Sequence, residues 1–93
     1  MKAVNMGEVA LKYRIMPESP DSDIENIVSK LSEVIPNDAS VGAHEVKPFA
    51  FGLNAIIVAI LGIDRDGFAT EVEEGLNGLP EVQTVVLEAQ SLI

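Results

Sequence analysis

Residues 53–63 read Leu-Asn-Ala-Ile-Ile-Val-Ala-Ile-Leu-Gly-Ile, an aliphatic run interrupted only by Asn54 and Gly62. Successive side chains of a strand point to opposite faces, so a segment apolar at both parities greases both faces of a sheet. Such a strand belongs in the interior of its sheet. It is too short for a membrane span, which needs ~20 apolar residues. The turn-like Lys47-Pro48-Phe49-Ala50-Phe51-Gly52 precedes it and is the first candidate contact surface.

The other segments arrange themselves around this strand. Residues 8–16 alternate, with Val9, Leu11, Tyr13 and Ile15 on one side, and Pro17 closes the strand. Ser22-Asp23-Ile24-Glu25 reads as a capping box with Ser22 as N-cap. Ile24, Ile27, Val28, Leu31, Val34 and Ile35 then recur at helical spacing until Pro36. Residues 41–47 form a weaker strand, with a bulge expected near Gly42. The short link to the apolar strand favours an antiparallel hairpin. Phe68, Val72, Leu76 and Leu79 mark a second helix, ended by Gly78 and Pro80. Gly75 is expected to let this helix approach the sheet. Residues 82–92 form the last strand, with Val85, Leu87 and Ala89 on one parity.

The order strand, helix, strand, strand, helix, strand predicts an α+β fold. It is the ferredoxin-like βαββαβ plait, a four-stranded antiparallel sheet with two helices on one face. Its central strands are the first and third, as the apolar run requires. At 93 residues the chain makes one small domain, residues 7–93, after a flexible extension at 1–6.

Composition narrows the function. The formal net charge is −9, and the six Lys and Arg are scattered, so direct nucleic-acid binding is not expected. There is no Cys, which rules out disulfides and thiolate metal sites and suits a reducing cytoplasm. No phosphate loop, nucleophile elbow or His-containing metal motif is present, and the single His44 reads as an ordinary strand residue. Neither cofactor nor metal is expected, and no catalytic residue is assigned. An acylphosphatase-like enzyme would need an arginine-bearing loop where the chain has Met16-Pro17-Glu18.

What remains is apolar surface. One sheet face is left free by the helices and would carry either Ile56, Val58 and Ile60 or Ala55, Ile57, Ala59 and Leu61. A bare apolar patch there would mark an interface. Phe51 at a loop tip suits an anchor, with Gly52 giving backbone freedom. For Phe49 a contact role and a core-plug role both stay open.

Several pieces in order carry a family likeness: Met6-Gly7-Glu8-Val9, Met16-Pro17-Glu18-Ser19-Pro20-Asp21, Gly42-Ala43-His44, Pro48-Phe49-Ala50-Phe51-Gly52-Leu53 and the acidic turn at 64–67. With them the chain resembles the archaeal translation elongation factor 1-beta family and the C-terminal domain of its eukaryotic counterparts. The resemblance implies the same plait, and guanine-nucleotide exchange on the GTPase elongation factor 1-alpha, with no membrane partner. It implies that Phe51 packs into the GTPase while Phe49 and Gly52 shape the turn. In eukaryotic relatives a lysine beside the last residue intrudes on the phosphate region. Ser91 stands at that position here, and no basic residue follows Arg65. The lysine step is therefore not transferable, and the C-terminal strand end becomes the expected second contact. The alternative from another class is a ligand-sensing or self-associating plait.

Overall fold

A computed structural model describes residues 7–92. Among them four strands and two α-helices follow the expected order: β1 (Glu8–Pro17), α1 (Ile24–Val34), β2 (Ser40–Pro48), β3 (Asn54–Ile63), α2 (Phe68–Asn77) and β4 (Val82–Leu92). The sheet order is β2-β3-β1-β4 with every neighbour antiparallel. The apolar run is thus an interior strand, paired on both edges. The expected extension at 1–6 lies outside the described residues.

Alternation decides the layers. Val9, Leu11, Tyr13 and Ile15 of β1 and Ile56, Val58 and Ile60 of β3 share one face and are buried. They form one core with Ile27 and Leu31 of α1 and with Phe68, Val72, Leu76 and Leu79 from α2 and its end. Both helices therefore cover the same side. Tyr13 carries its hydroxyl through this core to the rim, where it donates to Glu73 Oε2 at 3.0 Å.

Four local expectations need correction. The N-cap of α1 is Asp23, whose carboxylate accepts from the Asn26 amide at 3.1 Å. Ser22 instead accepts from the Ser19 amide in the preceding turn. An aspartate and a serine side by side both suit a cap, and the turn claims the serine. Gly75 admits a helix rather than the sheet, since a Cβ there would collide with the Val34 carbonyl at the end of α1. In β4 a bulge between the Lys12 and Tyr13 pairings leaves Glu88 unpaired. Leu87 therefore sits opposite Tyr13, but Ala89 is moved to the other face, opposite Lys12.

The fourth correction concerns the helix-free face. It carries Ala55, Ile57, Ala59 and Leu61, yet Ala55 and Ile57 are buried. Ile57 is flanked in register by Arg14 and Glu45, and Ala55 by Lys47. Long charged side chains lay their stems over such positions and keep their heads in water. The face is not a bare apolar patch. Among the described residues the exposed large apolar groups are Val46, Phe49, Phe51, Leu87 and Leu92, at strand edges, strand ends and the hairpin tip.

The expected bulge in β2 is present. Gly42 and Ala43 intervene between the pairs Val41–Ile60 and His44–Val58, opposite the single residue Ala59. At the other end of the helices, Arg65 ties two loops together. It donates to Asp38 at 2.7 Å, pairs with Glu71 and lies 5.4 Å from the Phe68 ring centroid. That hydrogen bond holds the Asp38 carboxyl below its usual range.

Candidate partner-binding site

The β2–β3 hairpin closes through a tight turn beyond its last strand pair, Pro48 with Asn54. Leu53 N–H donates to Ala50 O at 3.3 Å, and Phe49 N–H donates to Leu53 O at 2.7 Å. Phe51 and Gly52 fill the two central positions, with φ of +62° and +77°. Two consecutive positive φ values at the centre of a four-residue turn are the mark of a type I′ turn. Glycine adopts this region freely. A bulky phenylalanine there is a backbone outlier that costs ~1–2 kcal/mol.

The strained residue is also the most exposed aromatic. Phe51 is 93% exposed, so no packing within the domain compensates its backbone. Phe49, at 46%, is half out of the core, and the Arg14 guanidinium lies 5.1 Å from its ring centroid. The core-plug role for Phe49 is thereby excluded. Gly52 rests against the turn after β1: a Cβ on it would lie 3.7 Å from Pro20 Cγ, an ordinary contact distance. Arg14 thus meets the tip at Phe49, and Pro20 lies beside it at Gly52.

Ser91 does not join this group. It pairs with Ala10 near the start of β1, whereas the hairpin tip extends beyond the end of β1 at Pro17. At ~3.4 Å per residue the end of β1 is already about 24 Å from Ser91 along the sheet, and the tip lies farther still. The candidate residues thus form a tip cluster of Phe49, Phe51 and Gly52 and a separate strand end at Ser91, with the exposed Leu92 beside it. Nothing local in the sequence marks Arg14 and Pro20 as neighbours of the tip. The β1–β3 register brings Arg14 there, and the turn after β1 brings Pro20.

Among the described residues no group of His, Cys, Asp or Glu is placed to hold a metal ion. No described helix is long and apolar enough to cross a membrane. A shallow recess of about 180 Å³ lies beside the β2 bulge, lined by Lys12, Ala43, His44, Glu45, Ile57, Val58 and Ala59. It brings no nucleophile and general base together.

The class is therefore a ferredoxin-like plait that displays an aromatic hairpin. Comparison with known proteins refines this. Residues 10–93 match the EF-1 guanine nucleotide exchange domain. Elongation factor 1-beta of Methanosarcina mazei is 42% identical over 86 residues, covering 90% of this chain and 97% of the relative. Elongation factor 1-beta of Methanococcoides burtonii is 40% identical over 80 residues, covering 86% and 90%. That of Halorubrum lacusprofundi is 35% identical over 83 residues, covering 89% and 94%. The chain belongs to the EF-1 guanine nucleotide exchange domain family.

Proposed function

We propose that this chain promotes exchange of GDP for GTP on elongation factor 1-alpha in the cytoplasm, during translation elongation. Phe51 is the anchor that enters the GTPase. Phe49 and Gly52 fix the tip that carries it, and the β4 end at Ser91 is a second contact. The observation that carries the reading is a fully displayed ring on a strained backbone. Strain that no internal contact relieves is kept where a surface needs one geometry.

Exchange needs no nucleophile. A factor that binds the nucleotide-free GTPase more tightly than the GDP-bound form must weaken GDP binding by the same ratio. What is required is a surface that fits the distorted state. The chemistry is release and rebinding, so the protein is not an enzyme in the bond-making sense. With Ser91 where eukaryotic relatives carry lysine, no side-chain cation from this strand end reaches the phosphates. The exposed backbone and Leu92 are what it offers instead.

The test is loss of labelled GDP from the cognate elongation factor 1-alpha, with unlabelled nucleotide in excess. Substoichiometric amounts of this chain should accelerate the loss over many turnovers. An unchanged rate at saturating protein would exclude the exchange function.

A further inference from the structure

We propose that Arg14 is a positioning residue of the hairpin tip, holding Phe49 against the sheet so that Phe51 is presented in one conformation. This rests on reading the tip as the partner-binding element. Arg14 stands near the middle of β1 on the helix-free face, in register with Ile57 of β3 and Val86 of β4. Its guanidinium carbon is 5.1 Å from the Phe49 ring centroid, inside the ~6 Å range of a cation–π contact. From the other side, Nη1 donates to Glu88 Oε2 at 2.9 Å. Glu88 is the unpaired residue of the β4 bulge. A chain of contacts thus runs across the sheet from the β4 edge, through Arg14, to the base of the hairpin.

One atom marks this arrangement as more than a surface ion pair. Arg14 Nε is buried and has no hydrogen-bond partner among the described residues. An arginine placed only to meet a carboxylate has no reason to leave a buried N–H unsatisfied. The guanidinium meets the ring as well as the carboxylate. Phe49 in turn closes the hairpin through its amide hydrogen bond to Leu53 O, so fixing its ring fixes one leg of the turn.

The consequence for binding is specific. If the tip samples several conformations, only a fraction of molecules is competent, and the apparent dissociation constant rises by the inverse of that fraction. The factor is the same for the GDP-bound and the empty GTPase. Loss of Arg14 therefore raises the concentration needed for half-maximal exchange and leaves the maximal rate alone.

Arg14→Met keeps an apolar stem and removes the planar cation. Backbone relaxation of the full chain without GTPase reads the tip directly. The amides of Phe51 and Gly52 should fall to order parameters below ~0.6, while those of β1 and β3 keep wild-type values. In the GDP-release assay the half-saturating concentration should rise about tenfold, with the maximal rate within about twofold of wild type. Arg14→Lys retains a cation at the ring and should recover part of both effects. Wild-type order at the tip in Arg14→Met would overturn the proposal, as would loss of order throughout the sheet. If wild-type protein fails to speed GDP release, the exchange reading fails, and the relaxation data still decide the role of Arg14.

Discussion

Phe51 and Gly52 occupy consecutive left-handed backbone positions, and only the second is a residue that the conformation favours. Asparagine is the residue that type I′ turns prefer at the first of these positions. Phe51→Asn should therefore stabilise the domain by about 1 kcal/mol, which for a chain of this size is ~4–8 °C in Tm. The same change removes the ring, so nucleotide exchange should fall. Thermal unfolding and GDP release on one preparation check both halves. A less stable variant would mean that the ring contributes to the fold.

Gly75 predicts the opposite kind of effect. In an exposed helix, Ala for Gly gains ~1 kcal/mol. Here the added methyl meets the Val34 carbonyl, a backbone atom that cannot rotate away. Gly75→Ala should destabilise by about 1–3 kcal/mol, because α1 and α2 must move apart. Urea denaturation checks the sign. A gain would mean that the helix pair yields without cost.

Tyr13 gives a pH dependence. Burial, then its hydrogen bond to Glu73 and the charge there, push the phenol well above its ordinary pKa. Because the folded value is raised, the stabilising effect is complete below the unfolded value of ~10 and is lost as pH rises past it. Wild type should lose stability above about pH 10 more steeply than Tyr13→Phe. Parallel curves for the two would show that Tyr13 does not titrate with unfolding.

Self-association gives a further check. The helix-free face is crossed by Lys12, Arg14, Glu45, Lys47 and Glu88, with Arg14 and Lys47 in ion pairs. Pairing two such faces would desolvate these charges. Light scattering should give the mass of one 9.9 kDa chain at micromolar concentration. A tight dimer hiding this face would favour the self-associating alternative.

The regular parts of the fold are legible in the sequence because a single period governs each. The two-residue alternation of β1 and the helical spacing from Phe68 to Leu76 specify their buried faces without reference to anything distant. The apolar run identified an interior strand, although its two parities are too alike to say which faces the helices. That choice depends on what stands opposite: the β1 side bearing Tyr13 meets Ile56, Val58 and Ile60. The β4 bulge at Glu88 was hidden because an extra residue shifts the alternation without leaving a glycine or proline behind. The bulge at Gly42 did leave one, and it was anticipated.

The tip divides along the same line. Phe51 and Gly52 stand out in the sequence because an aromatic beside a glycine in a short link is a local signal. Their support was not local. Arg14 reaches Phe49 only after β1 pairs with β3, and Pro20 reaches Gly52 only after the turn following β1 folds back. Ser91 is a candidate only by its position near the last residue, and the antiparallel register sets it at the opposite end of the sheet.

On the exchange reading, the displayed ring of Phe51 is the grip on the GTPase. The most direct test of this is GDP release from elongation factor 1-alpha driven by Phe51→Ala across a range of concentrations. A buried aromatic anchor is worth at least ~2 kcal/mol, or about thirtyfold in affinity. The half-saturating concentration should rise by about that factor in a variant that unfolds no earlier than wild type. A Phe51→Ala curve that overlays the wild-type curve would contradict it.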